Sequence, residues 1–72
     1  MAEALEFNVD SSFTKTDIAL KDLSITSSVL IGGIVRNGEF ILPEGKTTIK
    51  LNDKVIVLTI DKQITGLNQI IE

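Results

Sequence analysis

The sequence predicts an α+β domain with a mainly antiparallel four-stranded sheet and two short helices. Three observations predict this class. One segment near the N-terminus alternates apolar and polar residues, and later segments are apolar runs of strand length. An Asn-Gly pair joins two of these runs as in a β-hairpin. Two other segments have the three- and four-residue apolar spacing of amphipathic helices. The predicted order is β-α-β-β-(β)-β-α, in one domain spanning residues 1–72.

The first strand and the first helix are predicted in the N-terminal third of the chain. Residues 4–9 (ALEFNV) alternate in polarity, and turn-forming residues follow them. Residues 14–23 (TKTDIALKDL) predict a short helix, because Thr14 or Thr16 can cap it and its apolar residues have helical spacing. Residues 24–28 (SITSS) are a polar connection.

The segment LIGGIVRNGEFILPEG, residues 30–45, predicts a β-hairpin. Asn37-Gly38 favours a type I′ turn, because both central positions of that turn need positive φ. A two-residue turn there places Arg36 opposite Glu39, where the simplest interaction is a cross-strand ion pair. Pro43 ends the second strand, because its nitrogen cannot donate a hydrogen bond to the sheet.

The C-terminal third predicts one strong strand and a second helix. Residues 47–51 (TTIKL) form a short extended piece, and residues 54–60 (KVIVLTI) form a strand that is apolar on both sides. Asp61 caps a helix over residues 62–71, although Gly66 weakens it by about 1 kcal/mol relative to Ala. Its buried stripe is predicted to contain Ile64, Leu67, Ile70 and Ile71.

The predicted hairpin register puts apolar rows on both faces of the sheet. The first row contains Val29, Ile31, Val35, Phe40 and Leu42. The second row contains Leu30, Ile34 and Ile41, continued by Ile56 and Leu58 of the last strand. Because an exposed apolar patch of this kind is rare on a stable monomer, we expect the second row to form the interface of a symmetric dimer. The alternative is that loops and the N-terminal strand cover it.

Composition narrows the classes of function. The chain has no cysteine and no histidine, so disulfides, the commonest metal ligands and the usual general base are missing. No P-loop, GxSxG or GxGxxG motif occurs, and we expect no enzymatic activity. A net charge of −3, with three Phe and no Tyr or Trp, argues against nucleic-acid binding. The apolar runs are too short for membrane insertion, and the N-terminus has no signal-peptide pattern, so we expect a cytoplasmic protein.

A weak candidate for a ligand site lies in the hairpin. Arg36 is the only arginine and can hold a phosphate or carboxylate through two hydrogen bonds, although a solvated arginine at the rim is the alternative. Gly32 and Gly33 permit close approach of a ligand or a second copy, or simply mark a β-bulge. With Pro43 they complete the predicted ligand-binding set. The hydroxyls of residues 24–28 can bind an anion or belong to a solvated loop, and capping explains the aspartates.

The segments ALKDLSI and VLIGGIVRNGEFILPEGKTTIKLNDKVIVLTIDKQI resemble the C-terminal domain of TrkA-type potassium-uptake regulators, also called the RCK C-terminal domain. The resemblance covers residues 4–71. It depends on an ordered set of positions: Leu20, Asp22, Leu23, Ile34, Arg36, Asn37, Gly38, Pro43, Gly45, Thr47, Leu51, Asp53 and Val55. Asn52 replaces the glycine that usually precedes Asp53, and asparagine tolerates the left-handed conformation that this turn needs.

The resemblance implies a regulatory function without catalysis. Domains of this family follow a Rossmann-type domain in a cytoplasmic subunit that forms rings and gates a membrane potassium transporter or channel. NAD or ATP would bind to that other domain, since the present sequence lacks its glycine-rich fingerprint. The C-terminal domain dimerises, and in some members it binds a cyclic dinucleotide at the dimer interface. Where such members have basic and amide side chains, this sequence has Ser27, Ser28 and glycine. The alternatives are a stand-alone ligand sensor and a purely structural dimerisation domain.

Overall fold

The computed structural model describes all 72 residues and contains one antiparallel sheet of four strands in the order β1-β4-β2-β3. The strands are β1 (Glu3–Asn8), β2 (Val29–Arg36), β3 (Glu39–Ile41) and β4 (Lys54–Thr59). The predicted four-stranded antiparallel architecture is therefore confirmed. β4 lies between β1 and β2, so the first and last strands of the chain are neighbours.

The β2–β3 hairpin has the register that the Asn-Gly pair predicts. Arg36 lies opposite Glu39, Val35 opposite Phe40 and Ile34 opposite Ile41. Both turn residues have positive φ, 52° at Asn37 and 79° at Gly38, as a type I′ turn requires. Asn52 also adopts the left-handed conformation expected of it, with φ of 73°.

The prediction of a first helix over residues 14–23 is wrong. The segment contains only a 3₁₀ turn at Leu20–Asp22, and Asp17 has a positive φ of 62°. Its backbone hydrogen bonds are made to the segment that joins β3 to β4: the N–H of Asp17 donates to Ile49 and that of Leu20 to Thr47. A ten-residue helix is marginal in isolation, and tertiary hydrogen bonds replace it here.

The prediction of a second helix over residues 62–71 is also wrong, because the backbone there is mostly not helical. Only Leu67–Ile70 form a 3₁₀ turn, and Gly66 before it is extended. Three residues of the predicted stripe are nevertheless buried: Ile64, Leu67 and Ile70. The predicted extended piece at residues 47–51 is reduced to a single bridge between Thr48 and Ala19. No helical segment of the chain is long and apolar enough to span a membrane.

A β-bulge at Gly32 changes the predicted sorting of side chains between the two faces. Ile31 is paired with Val57 and Gly33 with Ile56, so Gly32 is an extra residue in β2. Continuous alternation would put Ile31 and Ile34 on opposite faces, but the extra residue brings both to the same face. The alternative interpretation of the glycines as a bulge is the correct one.

The predicted rows are therefore wrong at four positions. Ile34 and its hairpin partner Ile41 face the core, and Ile34 is completely buried, so neither lies on the predicted second row. Val35 and Phe40, predicted beside Val29 and Ile31, lie on the opposite side of the sheet. We call that side the outer face, and it contains the apolar residues Leu30, Val35, Phe40, Ile56 and Leu58.

Loops cover the core in place of the expected helices. Val55 and Val57 of β4 pack with Ile34 in the centre of the core. The covering residues come from turns and connections: Val9, Phe13, Ile49, Ile64, Leu67 and Ile70. Residues 43–53, which join β3 to β4, contain no strand or helix and are called the strap below. Ile49 anchors the strap in the core.

Candidate functional site

The outer face is an exposed apolar surface that no segment of the chain covers. Leu30 is 65% exposed, Phe40 59% and Leu58 37%. Leu42 and Ile60, just beyond the ends of β3 and β4, are both 70% exposed. A contiguous surface of this type on a small domain indicates contact with another molecule.

Two glycines shape the outer face. The ring of Phe40 lies directly on the backbone of Gly33, and a Cβ at position 33 would overlap it. At Gly32, a Cβ would lie 3.3 Å from Cγ of Leu58. The glycine pair therefore leaves room for the Phe40 ring and the Leu58 side chain to lie against β2.

A groove of about 460 Å³ runs beside the first half of β2. Its lining comprises Val29, Leu30 and Ile31 of β2 together with Leu20, Lys21, Ile25, Thr26, Ser27, Pro43, Glu44 and Gly45. A second groove, of about 480 Å³, adjoins it at Ser27, Val29 and Leu30 and extends past Leu58 to Ile60. Each volume lies within the range of small-molecule sites.

The groove exists because β3 is short. β3 pairs only with residues 34–36 of β2, so residues 29–33 have no strand partner on the side opposite β4. β3 ends at Ile41, and Pro43, two residues later, cannot donate to a ladder. The floor of the groove is thus an open strand edge, and its far wall is built from the strap and the Leu20–Asp22 turn.

Arg36 makes a two-pronged ion pair with Asp53. Its Nε donates to Oδ1 of Asp53 over 2.9 Å, and its Nη2 donates to Oδ2 over 2.7 Å. The same Nη2 donates to the carbonyl oxygen of Thr48 over 3.0 Å, and the backbone N–H of Lys50 donates to Oδ2 of Asp53 over 2.8 Å. Asp53 is only 1% exposed, so a buried carboxylate is held by both side-chain and backbone donors.

The electrostatics of this pair favour its charged form. Burial acts to raise the pKa of Asp53, but the hydrogen bonds from Arg36 and from the N–H of Lys50 outweigh it, so the pKa lies below its ordinary value of 3.8. The pKa of Arg36 is raised, mainly by the hydrogen bond to Asp53. The pair is therefore ionised over the whole physiological pH range.

The structure does not bring the four predicted ligand residues together. Arg36 is turned to the core side and paired with Asp53, and it makes neither the predicted ion pair with Glu39 nor the alternative solvated rim contact. Gly32 and Gly33 support the outer face, and only Pro43 lines a groove. Ligand binding by Arg36 and the glycines stays a prediction.

Sequence reasoning missed the partner of Arg36. Asp53 was assigned a turn or capping role, whereas it is the buried acceptor for the only arginine of the chain. A fixed aspartate at the start of β4 in the family pattern was the available signal. No group of three or more His, Cys, Asp and Glu side chains is placed to hold a metal ion.

Comparison with known proteins identifies the class of domain. The family model of the TrkA-C domain matches residues 6–71, and the chain belongs to this family. The resemblance stated from the sequence is confirmed.

Two similar proteins agree with that assignment. A Trk system potassium uptake protein TrkA homolog from Archaeoglobus fulgidus is 38% identical over 52 residues, which is 72% of this chain and 12% of that protein. The chain thus matches only a small part of that relative. A solved structure described as an RCK domain with cda is 27% identical, with a TM-score of 0.73, and the match covers 96% of this chain and 97% of that one.

Proposed function

We propose that this chain is a regulatory, non-catalytic dimerisation module of a cytoplasmic subunit that controls potassium transport. Membership of the TrkA-C family supports the regulatory role, and similarity to a Trk system potassium uptake protein supports the link to potassium. The observation that carries the dimer is the uncovered apolar outer face. In the whole protein, a membrane potassium transporter subunit is the partner, and NAD or ATP binds to a separate Rossmann-type domain.

The outer face has the layout of a self-complementary interface. Its centre is apolar, with Leu30, Leu58 and Phe40, and its ion pair lies on the β1 side, where Nζ of Lys54 is 3.5 Å from Oε1 of Glu6. An apolar centre beside polar groups is typical of protein interfaces. A twofold axis through such a face buries the same residues on both copies.

A charge on the outer face should abolish the dimer. We expect the wild-type chain to dimerise at micromolar concentration and Phe40→Glu to stay monomeric, because a carboxylate would be desolvated at the interface. Sedimentation equilibrium over a concentration series measures the dimerisation of both chains.

Gly33→Ala provides a milder test of the same interface. The added Cβ displaces the exposed Phe40 ring, so the dimer dissociation constant should rise at least about tenfold with little change in the stability of the monomer.

The matched control is Glu39→Gln, a substitution at an exposed position of the same strand whose side chain lies on the other face. It should leave the dimer unchanged. A wild-type chain that remains monomeric at every concentration, or a Phe40→Glu variant that still dimerises, contradicts the proposal. Potassium control itself is tested in the whole protein, where Phe40→Glu should alter potassium uptake by cells that depend on it.

A second function, binding of a small regulatory ligand beside the dimer interface, is favoured by the groove. The groove adjoins the outer face at Leu30, is of ligand size, and includes Pro43 of the predicted ligand set. The structurally similar solved chain is described as an RCK domain with cda. Lys21, Thr26, Ser27 and Glu44 supply the polar side chains of the lining, which suit a ligand with hydrogen-bonding groups.

Thermal-shift measurements with nucleotides and cyclic dinucleotides test this second function. We expect at least one compound to raise the midpoint of unfolding of the wild-type chain, because ligand binding to the folded state stabilises it. Ser27→Trp fills the groove and should abolish the shift, whereas Ser11→Trp, in an exposed turn far from the groove lining, should not. A complete absence of shifts would leave dimerisation as the only function and favour the purely structural alternative.

A further inference from the structure

The strap and residues 17–22, which end in the Leu20–Asp22 turn, form one layer that is built from loops. Three backbone hydrogen bonds join them: Asp17 N–H to Ile49 at 2.9 Å, Leu20 N–H to Thr47 at 2.8 Å, and Lys21 N–H to Gly45 at 2.9 Å. This layer supplies the far wall of the groove, including Lys21 and Gly45. Two backbone hydrogen bonds hold the last residues of the strap beside the end of β1: Asn52 N–H donates to the Val9 carbonyl over 2.9 Å, and Val9 N–H donates to the Asp53 carbonyl over 2.8 Å. The position of the rest of the layer relative to the sheet depends on side-chain contacts.

The Arg36–Asp53 ion pair is the charged contact that fastens the strap to the sheet. Arg36 is the last residue of β2, and its guanidinium reaches two points of the strap, the Asp53 carboxylate and the Thr48 carbonyl. The other ion pair of the strap, between Lys50 and Asp17, lies within the loop layer and is exposed on both sides, 50% and 69%. It therefore adds nothing to the attachment of that layer to β2.

We propose that the Arg36–Asp53 pair fixes the far wall of the groove, so that breaking it releases the strap and the 17–21 segment while the four strands stay paired. The consequence for ligand binding depends on the proposed function of the groove. Without its arginine, the buried Asp53 carboxylate would keep only the Lys50 N–H as a hydrogen-bond donor, and local opening of the strap to water relieves that cost. Arg36 is then a positioning residue for the groove wall.

Amide hydrogen exchange, resolved by NMR, tests this inference in the full chain. In Arg36→Gln, exchange at Asp17, Leu20 and Lys21 should accelerate at least about tenfold more than exchange in the paired amides of β2 and β4, whose exchange follows global stability. Arg36→Lys keeps the charge but loses the two-pronged geometry and should give an intermediate acceleration. If Arg36→Gln does not fold, Arg36→Lys and Asp53→Asn provide the comparison.

The matched control is Lys50→Gln, which breaks the exposed ion pair to Asp17 within the same loop layer. It should change exchange at Leu20 and Lys21 by less than about threefold, because exposed ion pairs contribute little. Equal acceleration in strap and strands would show that Arg36 acts only on global stability. Unchanged exchange in the loop layer would show that other contacts hold the strap. Either result overturns the inference.

The experiment is independent of the proposed function. It is done without ligand and at a concentration where sedimentation shows monomer, so failure to dimerise or to bind nucleotides would not change its outcome. Conversely, a dimer that forms normally while Arg36→Gln leaves the strap closed would refute the inference and leave the proposed function intact.

Discussion

Asp53→Ala is expected to lower the free energy of unfolding by about 3–5 kcal/mol, because it leaves the Arg36 guanidinium with only the Thr48 carbonyl for a partner and removes the acceptor for Lys50. A domain of this length is stabilised by about 4–11 kcal/mol in total. The substitution should therefore bring the chain close to unfolding at room temperature. Urea titration followed by circular dichroism measures the loss.

A double-mutant cycle with Arg36→Met isolates the pair from its surroundings. We expect Asp53→Ala and Arg36→Met together to cost less than the sum of the single variants, because neither then leaves a buried charge. Strict additivity of the two free-energy changes would contradict the pairing.

Since the pKa of Asp53 is lowered in the folded state, the stability from the pair should be present above about pH 4 and lost as the pH falls below it. Asp53→Asn should remove this part of the acid dependence.

Ile34→Ala should cost about 2–5 kcal/mol, whereas Leu30→Ala in the same strand should cost less than about 1 kcal/mol in the monomer. Ile34 is completely buried and packs with Val55 and Val57, so truncation leaves a cavity. Leu30 is 65% exposed on the outer face, and its loss creates none.

Urea unfolding at a concentration where the chain is monomeric separates these two effects from dimerisation. The matched substitution Leu58→Ala, in the neighbouring strand and on the same face as Leu30, should behave like Leu30→Ala. If Leu30→Ala were as damaging as Ile34→Ala, the sorting of β2 side chains by the bulge would be incorrect.

The sequence predicted the sheet well because the register of its hairpin depends on residues that are close together in the chain. Asn37-Gly38 fixes the turn, and the turn fixes three residue pairs across β2 and β3. The two helices failed for a physical reason: their apolar spacing is real, since Ile64, Leu67 and Ile70 are buried, but the same burial is reached by irregular chain with single 3₁₀ turns. Periodicity reports which residues are buried, and it does not report the hydrogen-bond partners of the backbone.

The candidate site was only partly predictable, because it depends on two non-local events. The bulge at Gly32 exchanged residues between the faces, and a single inserted residue reverses every assignment that follows it. The pairing of Arg36 with Asp53 joins residues 17 positions apart through the folded strap, and no local pattern encodes it. Leu30, Ile56 and Leu58 were correctly placed on one exposed side, whereas Ile34 and Ile41 were not.

The adjacency of β1 and β4 has a consequence for how the chain acquires its structure. β1 pairs along its whole length with residues 54–59, about 50 positions later in the sequence. Closing a loop of this length costs conformational entropy before the stabilising contacts form, so the step is slow. The β2–β3 hairpin is therefore expected to form early and the β1–β4 ladder late. During synthesis on the ribosome, residues 3–8 would remain an unpaired strand with one apolar face until residues 54–59 have emerged. In that interval, aggregation competes with folding.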